Sequence, residues 1–185
     1  MMVKIIVVGD SNAGKTTLVH KLVYGNIPDP IASTTLGVDF HIIPHTNPTH
    51  LWDTGNLEKF AYVNTQLYRN SDAILIVYDI ANPVQACVNL SKWHAQLLND
   101  CNTYSENKNV WAVRSKCDHI PAMPPEIVEN YCKNHNMKHI SVSAFSNLNI
   151  DLFKQQLVQV TSKKSSNIVL DSNTTQKINT CAICS

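Results

Sequence analysis

One short segment near the N-terminus restricts the possible folds of this chain more than any other. Residues 9–16 read GDSNAGKT and fit the pattern G-x-x-x-x-G-K-[ST]. The apolar, β-branched run from Val3 to Val8, broken only by Lys4, precedes this segment and predicts a buried strand. From Lys15 onward, apolar residues recur at helical spacing. A strand, a glycine-bounded turn and a helix in this order predict a phosphate-binding loop that begins a βαβ unit.

The chemistry of such a loop gives its residues distinct roles. Backbone N–H groups of the loop and of the helix N-terminus point at phosphate groups. The ammonium group of Lys15 would lie at the β- and γ-phosphates, and the Thr16 hydroxyl would bind Mg²⁺. The predicted nucleotide contacts of this segment are Gly9, Asp10, Ser11, Asn12, Ala13, Gly14, Lys15, Thr16 and Thr17.

Strand and helix patterns alternate along the rest of the chain. Strands are predicted at 39–43, 50–52, 73–78, 110–113 and 139–142, with helices at 84–99, 124–133 and from 150 onward. This order predicts an α/β fold of the P-loop NTPase type, with a mostly parallel six-stranded sheet covered by helices on both faces. The hairpin 39–52 would supply one antiparallel edge strand. Periodicity stops near Ser162, so we expect one domain over residues 1–161 and a flexible tail over 162–185.

The bulk composition excludes several functional classes. The chain has 185 residues, a hydrophobic fraction of 44% and a charged fraction of 16%, as in soluble globular proteins. A formal net charge of +1 gives no basic surface for nucleic acid. We find no apolar run long enough for a transmembrane helix and no signal peptide. Cysteines 87, 101, 117 and 132 are scattered singly, which predicts reduced thiols and a cytoplasmic location.

Four further segments identify a family. They are Thr35-Leu-Gly-Val-Asp-Phe40, Trp52-Asp53-Thr54-Gly55, Ser115-Lys116-Cys117-Asp118 and Ser143-Ala144-Phe145. Behind the loop at 9–16, these segments follow the order and approximate spacing of switch I, switch II, the NKxD motif and the SAK motif of small GTPases. The chain therefore resembles a Rab-like member of the Ras superfamily, from residue 2 to about 161.

The resemblance implies a site for GTP or GDP with Mg²⁺. Thr35 would bind Mg²⁺ through its hydroxyl and the γ-phosphate through its N–H, so that switch I is ordered only by a triphosphate. Asp53 would hold a Mg²⁺-bound water. Asp118 would accept hydrogen bonds from the N1 and N2 donors of guanine, a pair that adenine lacks. The stem of Lys116 would lie along the base, and the Ala144 N–H would donate to guanine O6. Ser143 and Ser115 complete the predicted base-binding motifs.

Switch II departs from the family at the residue that positions the attacking water. The family has Asp-Thr-Ala-Gly-Gln-Glu, whereas this chain has Asp-Thr-Gly-Asn-Leu-Glu from Asp53. Aligned without a gap, Leu57 occupies the Gln position; shifted by one residue, Asn56 does. Leu57 cannot bind water and Asn56 is one methylene short, so we predict slow hydrolysis and a weak response to an activating protein. The predicted catalytic residues are thus Lys15, Thr35 and Leu57, the last at the position of the missing Gln.

The base-recognition motifs also depart from the family. Ser115 replaces the Asn that links the base to the phosphate loop, and a hydroxyl has fewer donors than an amide. Phe145 replaces a Lys, and Ile27 stands where an aromatic residue usually covers the guanine. These changes predict weaker nucleotide binding than is usual. Asn12 replaces a Gly, but Asn tolerates positive φ better than other side chains.

Partner and membrane contacts follow from the same resemblance. Rab proteins present an aromatic triad to effector and exchange proteins; Phe40 and Trp52 match two members, whereas Leu67 stands at the third. The tail ends in CAICS, with Cys181 and Cys184 as candidate lipidation sites. Prenylation, a CxxC redox or metal pair, and no modification all remain open, because the spacing fits neither a C-a-a-X box nor the usual Rab pair.

The predicted function is a monomeric GTP/GDP switch in vesicle traffic. It would act in the cytoplasm, and at the cytosolic face of an internal membrane if the tail is prenylated. One alternative is a pseudo-GTPase, an interaction module with weak or no nucleotide binding. Another is a P-loop ATPase or nucleotide kinase, which Asp118 argues against.

Overall fold

The computed structural model describes residues 2–29, 37–45, 48–55, 67–79, 83–100, 109–119 and 126–159. The strands are β1 (Val3–Val8), β2 (Gly37–Ile43), β3 (Thr49–Gly55), β4 (Ala73–Asp79), β5 (Asn109–Ser115) and β6 (Lys138–Ser141). The helices are α1 (Lys15–Tyr24), α2 (Pro83–Asp100), α3 (Glu126–Asn134) and α4 (150–159). The proposed tail lies outside the described residues, so the domain boundary at 161 stays a prediction.

The six strands form one sheet in the order β2-β3-β1-β4-β5-β6. The pair β2–β3 is antiparallel, and the other four pairs are parallel. This arrangement confirms the predicted mostly parallel sheet with one antiparallel strand at its edge. Strand β1 lies between β3 and β4, so the loop that follows β1 leaves from the middle of the sheet.

Alternate residues of the central strand point to two separate cores. Val3, Ile5 and Val7 pack in a cluster that includes residues of α1 and α4. Ile6 and Val8 pack in a second cluster, with residues of α2 and α3. The sheet is therefore buried on both faces, which explains the continuous apolar run of β1 and confirms the predicted placement of the helices. Among the described residues, no helix is both long and apolar enough to span a membrane.

The strand boundaries differ from the predictions mainly in the hairpin. The predicted strands 39–43 and 50–52 extend to Gly37–Ile43 and Thr49–Gly55. Strand β3 continues through polar residues because it has hydrogen-bonded neighbours on both sides, β1 and β2. The buried Thr54 hydroxyl also donates to the carbonyl of Val7 at 2.6 Å. Partner strands, and not hydrophobic alternation, thus set the end of β3, and this extension carries Asp53 to the site.

Candidate functional site

The loop after β1 has a backbone that few side chains permit. Gly9 has a φ of 141°, and a Cβ placed there would lie 2.0 Å from the carbonyl oxygen of Val77 in β4. Only glycine allows this close approach. Asn12 has a φ of 62° and Gly14 a φ of 88°, so Asn12 adopts the left-handed conformation expected of it. Gly9, Asn12 and Gly14 therefore allow the loop after β1 to pack closely against β4 at Gly9 and to turn into α1.

Lys15 lies inside this loop. Lys15 is only 6% exposed. Its ammonium group donates to the carbonyl oxygens of Gly9 and Asp10, both at 2.7 Å. The positive charge is thus held within the curve of the loop, at the position where a phosphate chain would need it.

The side chain of Asp10 faces α2. The Trp93 indole N–H donates to Asp10 Oδ1 at 3.0 Å, and the Asn89 amide donates to Asp10 Oδ2. The Asp10 carboxylate therefore fastens the phosphate loop to α2. Sequence analysis predicted Asp10 as a nucleotide contact but missed Asn89 and Trp93, because nothing in their local pattern points to a residue about 80 positions earlier.

A second cluster joins α1 to β3. The Thr16 hydroxyl donates to Asp53 Oδ2 at 2.6 Å. Asp53 is 0% exposed, and its buried Oδ1 has no hydrogen-bond partner among the described residues. Burial raises the pKa of this carboxyl, an effect that the Thr16 hydrogen bond and the charge of Lys15 partly oppose. A hydroxyl beside an unsatisfied buried carboxylate oxygen is a donor set that suits Mg²⁺ and its bound water. Thr16 would bind the ion and Asp53 would accept from its water.

A cavity of about 200 Å³ opens beyond the carboxyl ends of β5 and β6. We call it the base cavity. Its lining residues are Gly14, Thr17, Leu18, Ser115, Lys116, Asp118, His119, Val142, Ala144 and Phe145. The structure thus brings together the end of the phosphate loop and the two predicted base-binding motifs. Three lining residues were not predicted: Leu18, Val142 and His119. Leu18 and Val142 are buried residues whose pattern indicates only the core. His119 directly follows Asp118, and that position is the one signal that could have marked it as a residue of the site.

Asp118 is held in its ionised form at the base cavity. The Ser143 hydroxyl donates to Asp118 Oδ1 at 2.5 Å, and this hydrogen bond is the main cause of a lowered pKa. His119 Nε2 lies 3.5 Å from Asp118 Oδ2. A carboxylate that remains charged is a strong acceptor for a pair of N–H donors on a ligand. Ser143 therefore positions Asp118, while Asp118 faces the cavity.

Ser115 and Lys116 link the base cavity to the phosphate loop. The Ser115 hydroxyl donates to the carbonyl of Ala13 at 2.5 Å and lies 3.1 Å from the carbonyl of Tyr78. Lys116 Nζ donates to the Asn12 carbonyl at 2.8 Å and pairs with Asp79 at 2.6 Å. The shorter Ser115 side chain still reaches the loop, although its single proton is shared between two acceptors.

Comparison with known proteins agrees with this geometry. The model of the Ras family matches residues 4–163. The Ras-related protein Rab-32D of Dictyostelium discoideum is 31% identical over 170 residues, covering 85% of this chain and 72% of that protein. The chain belongs to the Ras family. The Ras-related protein SEC4 of Candida albicans is 27% identical over 171 residues, covering 89% of this chain and 79% of its own length. These relatives place the chain among the Rab-like small GTPases.

Two of the three residues predicted to face partners are in ring contact. The rings of Phe40 and Trp52 meet edge to face, with centroids 5.2 Å apart, and the His50 ring lies 4.8 Å from Phe40. Leu67, at the third predicted position, is half-buried. The role of these residues in partner binding stays a prediction.

Several predicted residues of this small GTPase lie outside the described residues. They are Thr35, Asn56, Leu57, Cys101, Cys181 and Cys184. Their predicted roles in Mg²⁺ binding, hydrolysis and lipidation stay predictions. Among the described residues, Cys87, Cys117 and Cys132 are free thiols.

Replacing Asp53 with Asn gives a test of the Mg²⁺ site. We expect Asp53→Asn to raise the melting temperature of the protein without Mg²⁺ and nucleotide, because a buried, unsatisfied charge is removed while the Thr16 hydrogen bond can be kept. The same variant should bind Mg²⁺ in the nucleotide complex roughly 10- to 100-fold more weakly, since the Mg²⁺-bound water loses its carboxylate. Thermal unfolding at several Mg²⁺ concentrations measures both effects. Equal Mg²⁺ dependence in the variant and the natural protein would contradict this assignment.

Proposed function

We propose that this Rab-like protein is a Mg²⁺-dependent switch between GTP and GDP forms, and that it hydrolyses GTP slowly. The observation that carries the proposal is the Asp118 carboxylate, which accepts a hydrogen bond from the Ser143 hydroxyl and lines one cavity with Gly14 and Ala144. Guanine offers two adjacent N–H donors to such a carboxylate, whereas adenine would leave it unpaired. This contrast argues against an ATPase or a nucleotide kinase.

The phosphate chain would extend from the base cavity along the loop at 9–16. Lys15 would exchange its carbonyl acceptors, Gly9 and Asp10, for phosphate oxygens. Asp10 stays turned toward α2, so that its negative charge is kept away from the phosphates. Thr16 and Thr35 would hold Mg²⁺, which would supply positive charge to the phosphates. The N–H of Thr35 would contact only a γ-phosphate, and this contact makes the two nucleotide states distinguishable to a partner.

Hydrolysis transfers the γ-phosphoryl group to water and leaves GDP and phosphate. The protein contributes positioning and charge stabilisation. Lys15 would contribute to charge stabilisation. The attacking water lacks the Gln that usually positions it, because Asn56 and Leu57 stand at that part of switch II. The proposed switch therefore stays long in its GTP form.

The proposed setting is vesicle traffic, inferred from the likeness to Rab proteins. Effector and exchange proteins would bind at Phe40, Trp52 and the switch segments. Membrane attachment through a prenylated Cys181 or Cys184 belongs to the same proposal, and one lipid chain alone would anchor only reversibly. We further propose that the protein is a monomer.

The second candidate function is a pseudo-GTPase that serves as an interaction module. Asn56 and Leu57 at switch II and Ile27 at the usual aromatic position favour it. Nucleotide binding separates the two candidates.

The nucleotide that the protein carries tests the proposal directly. The protein is purified from an expressing cell in Mg²⁺ buffer, its nucleotide is released with acid, and the GTP, GDP and empty fractions are measured by chromatography. We expect mostly GTP. A GDP-loaded protein would retain the switch but contradict slow hydrolysis. A protein that is empty, and that takes up neither nucleotide on titration, would favour the pseudo-GTPase.

A further inference from the structure

Phe145 occupies an unusual position for a large apolar side chain. It is 81% exposed, the largest exposure among the exposed large hydrophobic residues of the described chain. It nevertheless lines the base cavity, together with Lys116 and Asp118. An exposed ring at the rim of a cavity offers one free face to a planar ligand, and burying that face in a complex is favourable.

The loop that carries Phe145 is tightly fixed. The hydroxyl of Ser143 accepts from the N–H of Ser146 at 3.1 Å, and a bridge joins Ser143 to Leu148. The Asn149 amide donates to the Ser141 carbonyl at 2.8 Å. Asn147, with a φ of 61°, supplies the left-handed turn. A ring presented by such a loop loses little conformational freedom when a ligand covers it.

The same loop sets the distance between Phe145 and the carboxylate that reads the base. Ser143, two residues before Phe145, holds Asp118 through its hydroxyl. Toward the phosphate loop, the stem of Lys116 is fixed because its ammonium group binds the Asn12 carbonyl and the Asp79 carboxylate. A base that meets Asp118 with its edge would have the Phe145 ring and the Lys116 stem beside it, since both residues line the same cavity. Ile27 is 36% exposed, less than half the value of Phe145, and it does not line this cavity.

We propose that Phe145 is a base-stacking residue, whose ring covers one face of the bound guanine. This inference rests on the proposed function, since it assigns a residue of the same nucleotide site. It also reverses the expectation from sequence that Phe145 weakens binding. All bases have a π-face, so stacking on Phe145 increases the affinity for any base, whereas Asp118 determines the preference for guanine.

The test compares Phe145→Ala, Phe145→Tyr and the control Leu148→Ala. Leu148 lies in the same loop, is 46% exposed and does not line the base cavity. Dissociation constants are measured by calorimetry for GDP and for inosine diphosphate, which lacks the N2 amino group. Loss of base stacking should weaken binding of both ligands by a similar factor, roughly 5- to 100-fold in Phe145→Ala. The ratio between the two ligands should stay unchanged, and Phe145→Tyr and Leu148→Ala should bind as the natural protein does.

The outcomes separate this inference from the proposed function. If the natural protein binds GDP and Phe145→Ala binds it equally well, stacking by Phe145 is wrong while the nucleotide switch stands. An equal loss in Leu148→Ala would also overturn it, because the loop and not the ring would then matter. If the natural protein binds neither ligand, the proposed function fails, and this inference fails with it.

Discussion

Asp118→Asn is expected to lower the affinity for GDP by roughly 100- to 10,000-fold. Each charge-assisted hydrogen bond contributes about 1.5–3 kcal/mol; in the variant one of the two bonds becomes neutral, and the other is replaced by a repulsive contact between two donors. The Asn amide presents one acceptor and one donor, so its donor would face the N2 amino group of guanine. Xanthine has an oxygen at that position and should bind the variant better than guanine does. Titrations with GDP and xanthosine diphosphate measure this exchange of preference.

The gain of xanthosine diphosphate binding also shows that the variant is folded. Ser143→Ala is the matched control, since it removes the hydrogen bond that positions Asp118 but leaves the carboxylate in place. It should weaken GDP binding by about tenfold without creating any preference for xanthine. If Asp118→Asn lost GDP and gained no xanthosine diphosphate, Asp118 would be a structural residue of the loop and not the reader of the base.

The sequence was sufficient for those parts of the fold that depend on local patterns. The continuous apolar run of β1 predicted a strand buried on both faces, and Gly9 and Gly14 marked the turn over the sheet. The motif residues Ser115, Asp118 and Ala144 line one cavity, because parallel strands bring the loops at their carboxyl ends to the same edge; their roles toward a nucleotide stay predictions.

Long-range contacts could not be predicted in the same way. The hydrogen bonds from Asn89 and Trp93 to Asp10 join residues 79 and 83 positions apart. The helical pattern of α2 predicts only that Trp93 is a core residue, and it does not indicate which group its indole N–H contacts. The end of β3 was missed for a similar reason, since backbone pairing and not side-chain alternation extends the strand: β1 pairs with it as far as Asp53, and β2 pairs with it as far as Gly55.

One contact of a substituted residue also depends on a backbone distance. Ser115 is expected to weaken nucleotide binding because its hydroxyl is shorter than the Asn side chain and has fewer donors, and this stays a prediction. Its hydroxyl nevertheless reaches the Ala13 carbonyl at 2.5 Å. The backbone distance at that point is therefore short enough for a hydroxyl, a fact that no sequence pattern carries.

Restoring a Gln at switch II should accelerate GTP hydrolysis. We expect Leu57→Gln to raise the single-turnover rate by roughly 100-fold, because the amide would hold the attacking water in line with the γ-phosphate, and misplacement by about 1 Å costs a similar factor. Asn56→Gln is the competing variant, since a one-residue shift of the alignment places Asn56 at this position. Rates are measured on protein preloaded with radiolabelled GTP, in a single turnover started by Mg²⁺.

Leu57→Met is the matched control, because it keeps a long side chain but supplies no amide. It should hydrolyse GTP as slowly as the natural protein. Acceleration in Leu57→Gln alone would support the ungapped alignment, and acceleration in Asn56→Gln alone the shifted one. If neither variant exceeded the natural protein, and the natural protein were already as fast as ordinary small GTPases, slow hydrolysis would be wrong. Another group of this chain would then have to position the water, and the long-lived GTP form would no longer follow from switch II.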